Sequence, residues 1–285
     1  MKVLPFKIPK PEFDALIYQE DNGDFFFDKL HQHEEIQLSY IVEGEGTLIV
    51  GDTINYYKPD DVLVIGSNIP HVFKSDLQSS TNSHMLTLFF TKDSFGSNFF
   101  ELEELKESAI FFKRSKHGFK VLSHKKVLKE LFFKLKNASK MKQFIVLLEL
   151  LQTLNKVNYK SLSSFIYDKT YTDIEGNRMR DVFEYTMENY KSEISLNTIA
   201  EVATMTKNAF CKYFKKRTNK TYIQFLNELR LEHAVKLLGT SNDASIAEIA
   251  EASGFKNISN FNRQFKHYKG VQPSTFKMSL MSQKM

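Results

Sequence analysis

The chain has 285 residues, a single cysteine and no apolar run long enough to cross a membrane. Cys211 cannot form an internal disulfide by itself, and a helix that spans a bilayer needs about 20 apolar residues. The longest apolar stretch, residues 144–151, is interrupted by Glu149. Charges and prolines occupy residues 1–16, where a secretory signal peptide would have an apolar segment. We therefore expect a soluble cytoplasmic protein that has no membrane partner.

Acidic residues are absent from two stretches of the C-terminal part, residues 205–220 and 257–269. Residues 1–172 are balanced, with 22 basic and 22 acidic side chains, so residues 173–285 account for the whole net charge of +5. A local positive field of this kind indicates a polyanionic partner, and binding to it should depend steeply on salt.

Residues 245–276 have the pattern of two short helices joined by a tight turn. Ser245 and Glu248 form a Ser-x-x-Glu capping box, which predicts a helix start, and Gly254 suits the left-handed residue that ends this helix. The second helix has Phe261 and Phe265 on one side and Asn, Ser, Arg and Lys residues on the other. Asn and Arg make bidentate contacts to adenine and guanine edges, so this helix is predicted to read DNA rather than only to face solvent.

The same plan occurs about fifty residues upstream. Ser195 is predicted to cap the first helix, Ala203 to be the small residue of the turn, and Thr206 to cap the second helix. Residues 221–238 predict one long helix between the two copies. Two recognition helices held by one rigid helix would enter successive turns of the major groove, about 34 Å apart.

This region resembles the DNA-binding domain of the AraC family of bacterial transcription regulators. The motifs are IAEIAEASGF, NFNRQFK and the following Gly270, Pro273 and Phe276, preceded by LNELRLEHAVKLL. The resemblance implies a seven-helix domain with two helix-turn-helix units that both read double-stranded DNA. Asn219 stands where the family usually has glycine, and Asn tolerates a left-handed backbone better than most residues.

Matching the family's motif position by position implies base-facing residues in each unit: Asn208, Cys211 and Lys212 in the first, and Asn257, Ile258, Ser259, Asn260, Asn262 and Arg263 in the second. The same polar faces add further expected DNA contacts, namely Thr206, Lys207, Lys215, Lys216 and Lys266. The family commonly has a polar or charged residue at the position of Cys211, so packing is the alternative role for this side chain.

Residues 6–90 predict short β-strands at intervals of about ten residues, an arrangement typical of a sandwich or barrel. His31 and His33 fall on one face of a strand, and Gln37 has the same parity. With the following glycine they resemble the first motif of the cupin superfamily, a small antiparallel jelly-roll barrel. Residues 59–73 resemble the second motif, with His71 at its last histidine.

Metal-binding cupins use three His and one Glu, and Gln37 replaces the acid here. A neutral amide is a poorer ligand than a carboxylate for a hard divalent ion. We therefore predict that His31, His33, Gln37 and His71 line a pocket for a small-molecule ligand, with no metal. A bound catalytic metal and a purely structural barrel are the alternatives.

Residues 125–154 predict helices with an apolar stripe that is wider than is needed to cover the barrel alone. Helices that follow the barrel form the dimer interface in AraC-type regulators, so we expect a homodimer surface here. The alternative is a helix pair packed wholly on its own domain. Residues 156–177 are polar and without periodicity, which predicts a linker.

The sequence therefore predicts an α+β chain with a cupin-like barrel and following helices for effector sensing and dimerisation in residues 1–155, and an all-α AraC-type DNA-binding domain in residues 178–285. We expect a bacterial one-component transcription regulator, not an enzyme, that needs no cofactor, responds to a small molecule such as a sugar, and forms a homodimer. One alternative is a cupin-type metalloenzyme, a dioxygenase or isomerase, with an appended regulatory DNA-binding module. The other is a barrel that senses nothing and only dimerises.

Overall fold

The structure is a computed structural model, and it describes residues 14–77, 81–166, 172–241 and 243–282. The chain divides into two compact units, Met1–Arg180 and Asp181–Met285. Among the described residues, no helix combines the length and the apolar character that crossing a bilayer requires.

The first unit is built on two antiparallel sheets. The strands are β1 (Ile17–Gly23), β2 (Ile36–Glu43), β3 (Gly46–Val50), β4 (Thr53–Tyr57), β5 (Val62–Ile65), β6 (His71–Ser75), β7 (Ser83–Phe90), β8 (Phe119–Val121) and β9 (Tyr159–Ser161). The larger sheet has the strand order β1-β7-β2-β5-β8-β9, and the smaller has the order β4-β3-β6. This architecture and the helical second unit confirm the predicted α+β class with an N-terminal cupin-like barrel.

Strand β2 shows how the two faces of the larger sheet differ. Its alternate residues Leu38 and Tyr40 belong to an outer core that includes Leu128 and Leu147 of the covering helices. Ile41 faces the other way, into a core between the two sheets. Because successive strand residues alternate between faces, Gln37 and Ser39 share the inner face with Ile41.

Three α-helices accompany the sheets in the described part of this unit, α1 (Ala109–Ser115), α2 (Lys125–Phe133) and α3 (Lys140–Leu154). The apolar stripe of α3 is mostly covered by its own unit, since Val146, Leu147, Leu150, Leu151 and Leu154 are buried. An exposed apolar remainder is left on α2 and α3, made of Val127, Phe133, Met141 and Ile145.

Part of the segment predicted as a linker, residues 156–177, lies in the first unit. Strand β9 pairs with β8 at the edge of the larger sheet, and Leu162 is fully buried. Asp52 accepts hydrogen bonds from Ser163 Oγ at 2.9 Å and from the Ser164 backbone N–H at 2.8 Å. A three-residue edge strand is too short to show a period, and the segment therefore looks like a loop in the sequence. Residues 167–171 lie outside the described residues.

The C-terminal helices number seven among the described residues, as predicted. They are α4 (Asp173–Asn189), α5 (Leu196–Val202), α6 (Lys207–Thr218), α7 (Tyr222–Thr240), α8 (Ile246–Ala252), α9 (Ile258–Lys269) and α10 (Pro273–Ser282). The first of these begins at Asp173, five residues before the predicted start of the domain at residue 178.

Helix α7 completes two separate cores. Its first turns place Tyr222 and Phe225 against Phe210 and Phe214 of α6, with ring centroids 5.4–5.8 Å apart. Its later turns place Leu231, Ala234 and Leu238 in a second core with residues of α8 and α9. Each helix-turn-helix unit therefore has a core of its own, and α7 belongs to both.

The turn residues of the two units differ. Gly254 of the second helix-turn-helix unit has φ 90°, whereas the equivalent residue of the first helix-turn-helix unit is Thr204, with φ 53°. Ala203, predicted as the small residue of the turn, is the buried C-cap residue of α5 with φ −75°, and the left-handed residue of the turn is Thr204. Asn219 has φ 54°, the left-handed conformation expected of it.

Candidate functional site

Helix α9 presents the polar face expected of a recognition helix. The Asn257 side chain caps it by accepting a hydrogen bond from the Asn260 backbone N–H at 3.0 Å. Phe261 and Phe265 are fully buried and hold the opposite side of the helix against the core. The burial of these two rings turns Ser259 and Arg263 to solvent.

Not all the predicted base-facing residues of α9 are equally available. Asn257 uses its amide oxygen to accept the cap hydrogen bond, which holds the side chain at the start of the helix and limits how it can turn toward a base. Asn262 is half-buried, and its Oδ1 atom is buried without a hydrogen-bond partner. Arg263 donates a hydrogen bond from Nη2 to Asn260 Oδ1 at 2.9 Å, so these two side chains are held together on the exposed face.

The exposed face of α9 continues toward its C-terminal end. Ile258 and Lys266 are exposed, and so is His267, which was not among the predicted contacts. His267 follows Arg263 by four residues, a spacing that places the two side chains on one helix face. That spacing was the signal in the sequence that could have identified His267.

Helix α6 is the equivalent helix of the first helix-turn-helix unit. Thr206 caps it, accepting from the Ala209 backbone N–H at 3.4 Å, and Phe210 and Phe214 are fully buried. Five of the predicted contacts on this helix are exposed, namely Lys207, Asn208, Lys212, Lys215 and Lys216. Cys211 is half-buried at the flank of this face, where packing accounts for it as well as a base contact does.

Neither recognition helix carries an acidic side chain. The last turn of α6 has Lys215, Lys216 and Arg217, and the last turn of α9 has Lys266, His267 and Lys269. Lys269 forms an ion pair with Glu232 of α7 at 2.8 Å, so it is committed within the unit. The exposed Lys215, Lys216 and Lys266 are suited to contacts with phosphate oxygens, because such contacts need charge but carry no sequence information.

A second polar site lies in the barrel, where His31, His33 and His71 come together. Three nitrogens, one from each ring, lie within 4.8 Å of one another, and all three residues are buried. The ring centroids of His31 and His71 are 4.3 Å apart, and those of His33 and His71 are 5.0 Å apart. The backbones of His31 and His71 bond to each other through a short antiparallel bridge, which brings the two motifs together.

Backbone carbonyls set the protonation of these rings. His31 Nδ1–H donates to the Lys29 carbonyl at 2.8 Å, and His33 Nδ1–H donates to the Glu35 carbonyl at 2.9 Å. His71 Nδ1–H donates to the Ile69 carbonyl at 2.8 Å. A neutral imidazole that carries its proton on Nδ1 has its lone pair on Nε2. The three carbonyls therefore favour the tautomer in which Nε2 is the ligating atom.

Gln37 completes the cluster. Its Oε1 atom lies 3.2 Å from His33 Nε2 and 3.1 Å from His71 Nε2, while its Nε2 atom donates to Ser39 Oγ at 3.0 Å. Ser39 Oγ in turn bonds to Thr87 Oγ1 at 2.9 Å. Two neutral rings with lone pairs on Nε2 cannot donate to an amide oxygen. The contacts therefore require a proton or a cation between them, or the amide turned so that its NH2 group faces both rings.

The donor set fits a borderline divalent ion such as Zn²⁺ better than a hard one. Three imidazole nitrogens and one amide oxygen are available, and imidazole suits zinc, copper and nickel. Two nitrogens bound tetrahedrally to one zinc ion at about 2.1 Å lie about 3.4 Å apart, so nitrogens as much as 4.8 Å apart would need to approach by about 1.4 Å. His31, His33 and His71 would hold such an ion, with Gln37 as a weak fourth ligand.

Aromatic rings border the histidine cluster. Phe27 is 42 % exposed and meets the His31 ring edge-on at a centroid distance of 4.9 Å. Phe89 meets the His33 ring edge-on at 5.3 Å. Sequence reasoning did not identify Phe27, Ser39 or Thr87 as part of the site, because only the paired strands bring them to the histidines.

Two family models match parts of the chain. One, described as a helix-turn-helix domain, matches residues 199–279, and the other, described as a cupin domain, matches residues 24–83. The first covers most of both helix-turn-helix units, and the second covers His31, His33, Gln37 and His71.

The proteins that are similar in sequence are named as transcription regulators. The raffinose operon transcriptional regulatory protein RafR of Pediococcus pentosaceus is 31% identical over 96 residues, which is 34% of either chain. The Msm operon regulatory protein of Streptococcus mutans is 22% identical over 260 residues, 86% of this chain and 84% of that protein. Thus the chain covers about a third of RafR and most of the Msm regulator. Among solved structures, ToxT of Vibrio cholerae is 16% identical with a TM-score of 0.37, over 93% of this chain and 98% of that chain.

Proposed function

We propose that the chain is a one-component transcription regulator of the AraC family controlled by a small molecule bound in the barrel, because it joins a helix-turn-helix domain to a cupin domain and the similar proteins are named as regulators. The observation that carries the proposal is the presence of two acid-free helices with exposed Asn, Arg and Lys residues in the same chain as a buried polar cluster.

In the DNA-binding unit, Arg263 and Asn260 of α9 are the residues best suited to read base edges. Their mutual hydrogen bond holds the guanidinium in one direction, and a fixed Arg makes a bidentate contact to guanine with less loss of entropy. In α6, Lys212 takes the position equivalent to Arg263 and Asn208 that of Ser259, and Lys215 and Lys216 contact the phosphates.

In the barrel, the effector binds at His31, His33, Gln37 and His71. Imidazole and amide groups both donate and accept hydrogen bonds, so they match a neutral ligand rich in hydroxyl groups, and Phe27 offers an apolar ring beside them. A relative named for a raffinose operon makes a sugar the first class to test. The ligand changes DNA binding only if its affinity differs between two arrangements of the protein.

The exposed apolar residues of α2 and α3 are the proposed homodimer surface. Met141 is 71 % exposed, and Val127, Phe133 and Ile145 are between 41 % and 47 % exposed. Exposed apolar groups on adjacent helices favour association, because water is released from both copies. Sedimentation of the wild type as a monomer at micromolar concentration would contradict this assignment. Met141→Glu should convert a dimer to a monomer.

The metalloenzyme alternative is not favoured, because the similar proteins are named as regulators and Gln37 is a neutral ligand. The convergence of three histidines nevertheless makes a metal one of the ligands to test.

A thermal-shift screen against sugars, small aromatic acids, fatty acids and divalent metals tests the sensing role. A ligand at 100 times its Kd stabilises the folded protein by about 2.7 kcal/mol. We expect an organic ligand to stabilise the wild type and to lose this effect in His31→Ala and His71→Ala. Stabilisation that survives both substitutions would place the effector elsewhere, and stabilisation by metal alone would favour the metal-binding alternative.

A further inference from the structure

A half-buried arginine joins the two helix-turn-helix units. Arg230 of α7 donates from Nε to the Tyr190 carbonyl at 2.7 Å and from Nη2 to the Ser192 carbonyl at 2.8 Å. Both carbonyls lie in the loop that leads from α4 into α5, so they belong to the first helix-turn-helix unit. Planar guanidinium groups hold two acceptors in fixed geometry, which an ammonium group does not do.

The turn of the second unit packs against the same loop. A Cβ atom on Gly254 would lie 2.6 Å from the Tyr190 carbonyl oxygen and 2.9 Å from Arg230 Nε. Both distances are too short for a real contact, so only glycine allows the turn between α8 and α9 to approach this closely. The Tyr190 carbonyl is therefore held between the guanidinium of α7 and the turn that precedes the recognition helix α9.

Other contacts between the loop and the second unit are weaker. Glu193 pairs with Lys256 at 2.5 Å, but both side chains are more than 70 % exposed, and an exposed ion pair contributes little. The Tyr190 ring meets the His233 ring of α7 edge-on at a centroid distance of 5.5 Å. Burial lowers the pKa of Arg230, as expected for a guanidinium that is partly enclosed by protein.

The two recognition helices depend on this contact because they belong to different cores. Helix α6 packs with Tyr222 and Phe225 at one end of α7, and α9 packs with Leu231, Ala234 and Leu238 toward the other end. Without a further contact, either core could roll or tilt about α7. The Arg230 contact restrains that motion at a point next to the start of α9.

We propose that Arg230 sets the distance and relative rotation of the two recognition helices and thereby determines which spacing between two DNA half-sites the protein accepts. Arg230 acts as a positioning residue and touches no base in this proposal. The inference rests on the proposed DNA-binding function, in which both helices enter the major groove. One inserted base pair moves a half-site by about 3.4 Å and turns it by about 35°, so a rigid pair of helices discriminates between spacings.

The test measures binding at several half-site spacings. A duplex is first selected from a random-sequence library by the wild-type chain, and its two contacted segments are located by footprinting. Duplexes with one base pair removed or inserted between these segments are then titrated against the wild type, Arg230→Gln, Arg230→Lys and the control Lys256→Gln. Lys256→Gln removes a charge near the same loop but leaves the hydrogen bonds of both carbonyls intact.

We expect the wild type to lose affinity by about tenfold or more for either change of spacing, an amount comparable to one mismatched base pair. Arg230→Gln should lose threefold or less, Arg230→Lys should fall between the two, and Lys256→Gln should keep the wild-type ratio. If Arg230→Gln is not folded, as judged by circular dichroism, Arg230→Lys supplies the comparison.

Two results would overturn the proposal. A folded Arg230 variant that keeps the wild-type ratio between spacings, or that binds every spacing more weakly by one common factor, would leave Arg230 a purely structural residue. Failure of the wild type to select any two-part site would instead refute the proposed function, and the positioning role with it.

Discussion

Replacing Gln37 by glutamate tests the geometry of the histidine cluster most directly. Gln37 is 4 % exposed, and its Oε1 atom lies 3.1 Å from His71 Nε2 and 3.2 Å from His33 Nε2. The substitution keeps the shape of the side chain and puts a negative charge beside two rings. It also converts the neutral ligand set into three His and one carboxylate, a set that binds divalent metals well.

The size of the effect follows from burial and distance. A buried carboxylate without a positive partner destabilises a protein by about 3–5 kcal/mol. At 3.1 Å, a unit positive charge on the nitrogen would attract the carboxylate by about 5 kcal/mol at an effective dielectric constant of about 20. With neutral rings and no metal, the carboxylate lacks a positive partner. We therefore expect Gln37→Glu to be less stable than the wild type in EDTA and to gain about 2.7 kcal/mol from Zn²⁺ at 100 times its Kd.

Urea unfolding in EDTA and in Zn²⁺, with metal content measured after dialysis, checks this expectation. Gln143→Glu is the matched control, because Gln143 is also buried, at 8 % exposure, and lies in α3. The control should lose stability without any response to Zn²⁺. If Gln37→Glu responds no more than Gln143→Glu does, the three imidazole nitrogens do not converge on one point and the described cluster is wrong.

Four further predictions concern the helical unit. Arg263→Ala should weaken specific binding by about 1–3 kcal/mol and relax the preference at one base pair, whereas an equal loss on random DNA would make Arg263 a phosphate contact. Lys216→Ala should reduce the slope of log affinity against log salt by about one unit, and an unchanged slope would place Lys216 away from DNA. Thr204→Gly should stabilise the protein by about 0.5–1 kcal/mol in urea unfolding, because a β-branched residue with φ 53° is strained, and a loss of stability would contradict this. Burial lowers the pKa of His233 to about 4, so the stability that this residue contributes is fully present above pH 6.5 and is lost toward pH 4, as the unfolded chain takes up the proton. His233→Phe should reduce the loss of unfolding free energy between pH 7.5 and 5 by about 1 kcal/mol, and an unaltered dependence of that free energy on pH would count against it.

The local features of the helical unit were predictable because they depend on residues a few positions apart. The capping box of Ser245 and Glu248 is present with both of its hydrogen bonds. Asn219 and Gly254 have the left-handed backbone that their residue types suggested, and the buried rings of Phe261 and Phe265 followed from helical spacing. The overall class and the two types of domain followed from the same patterns and from motif resemblance.

Other features of that unit were not predictable. Nothing near Thr204 marks it as left-handed, since glycine, the residue that normally signals this conformation, is absent. Asn257 matches a base-facing position in the motif, but its side chain closes the helix cap. Arg230 lies in a helical stretch with no sign that its guanidinium reaches carbonyls about 40 residues away.

By itself, the sequence determined most of the segments that form helices and strands, which faces are apolar, and where positive charge gathers, because these properties depend on near neighbours along the chain. The tertiary structure decided which distant residues meet. Gln37 contacts His71 across 34 positions, β9 joins the sheet from a segment without period, and Arg230 connects two cores. Such contacts depend on strand register and helix packing, in which every side chain must fit at once, and no local pattern encodes them.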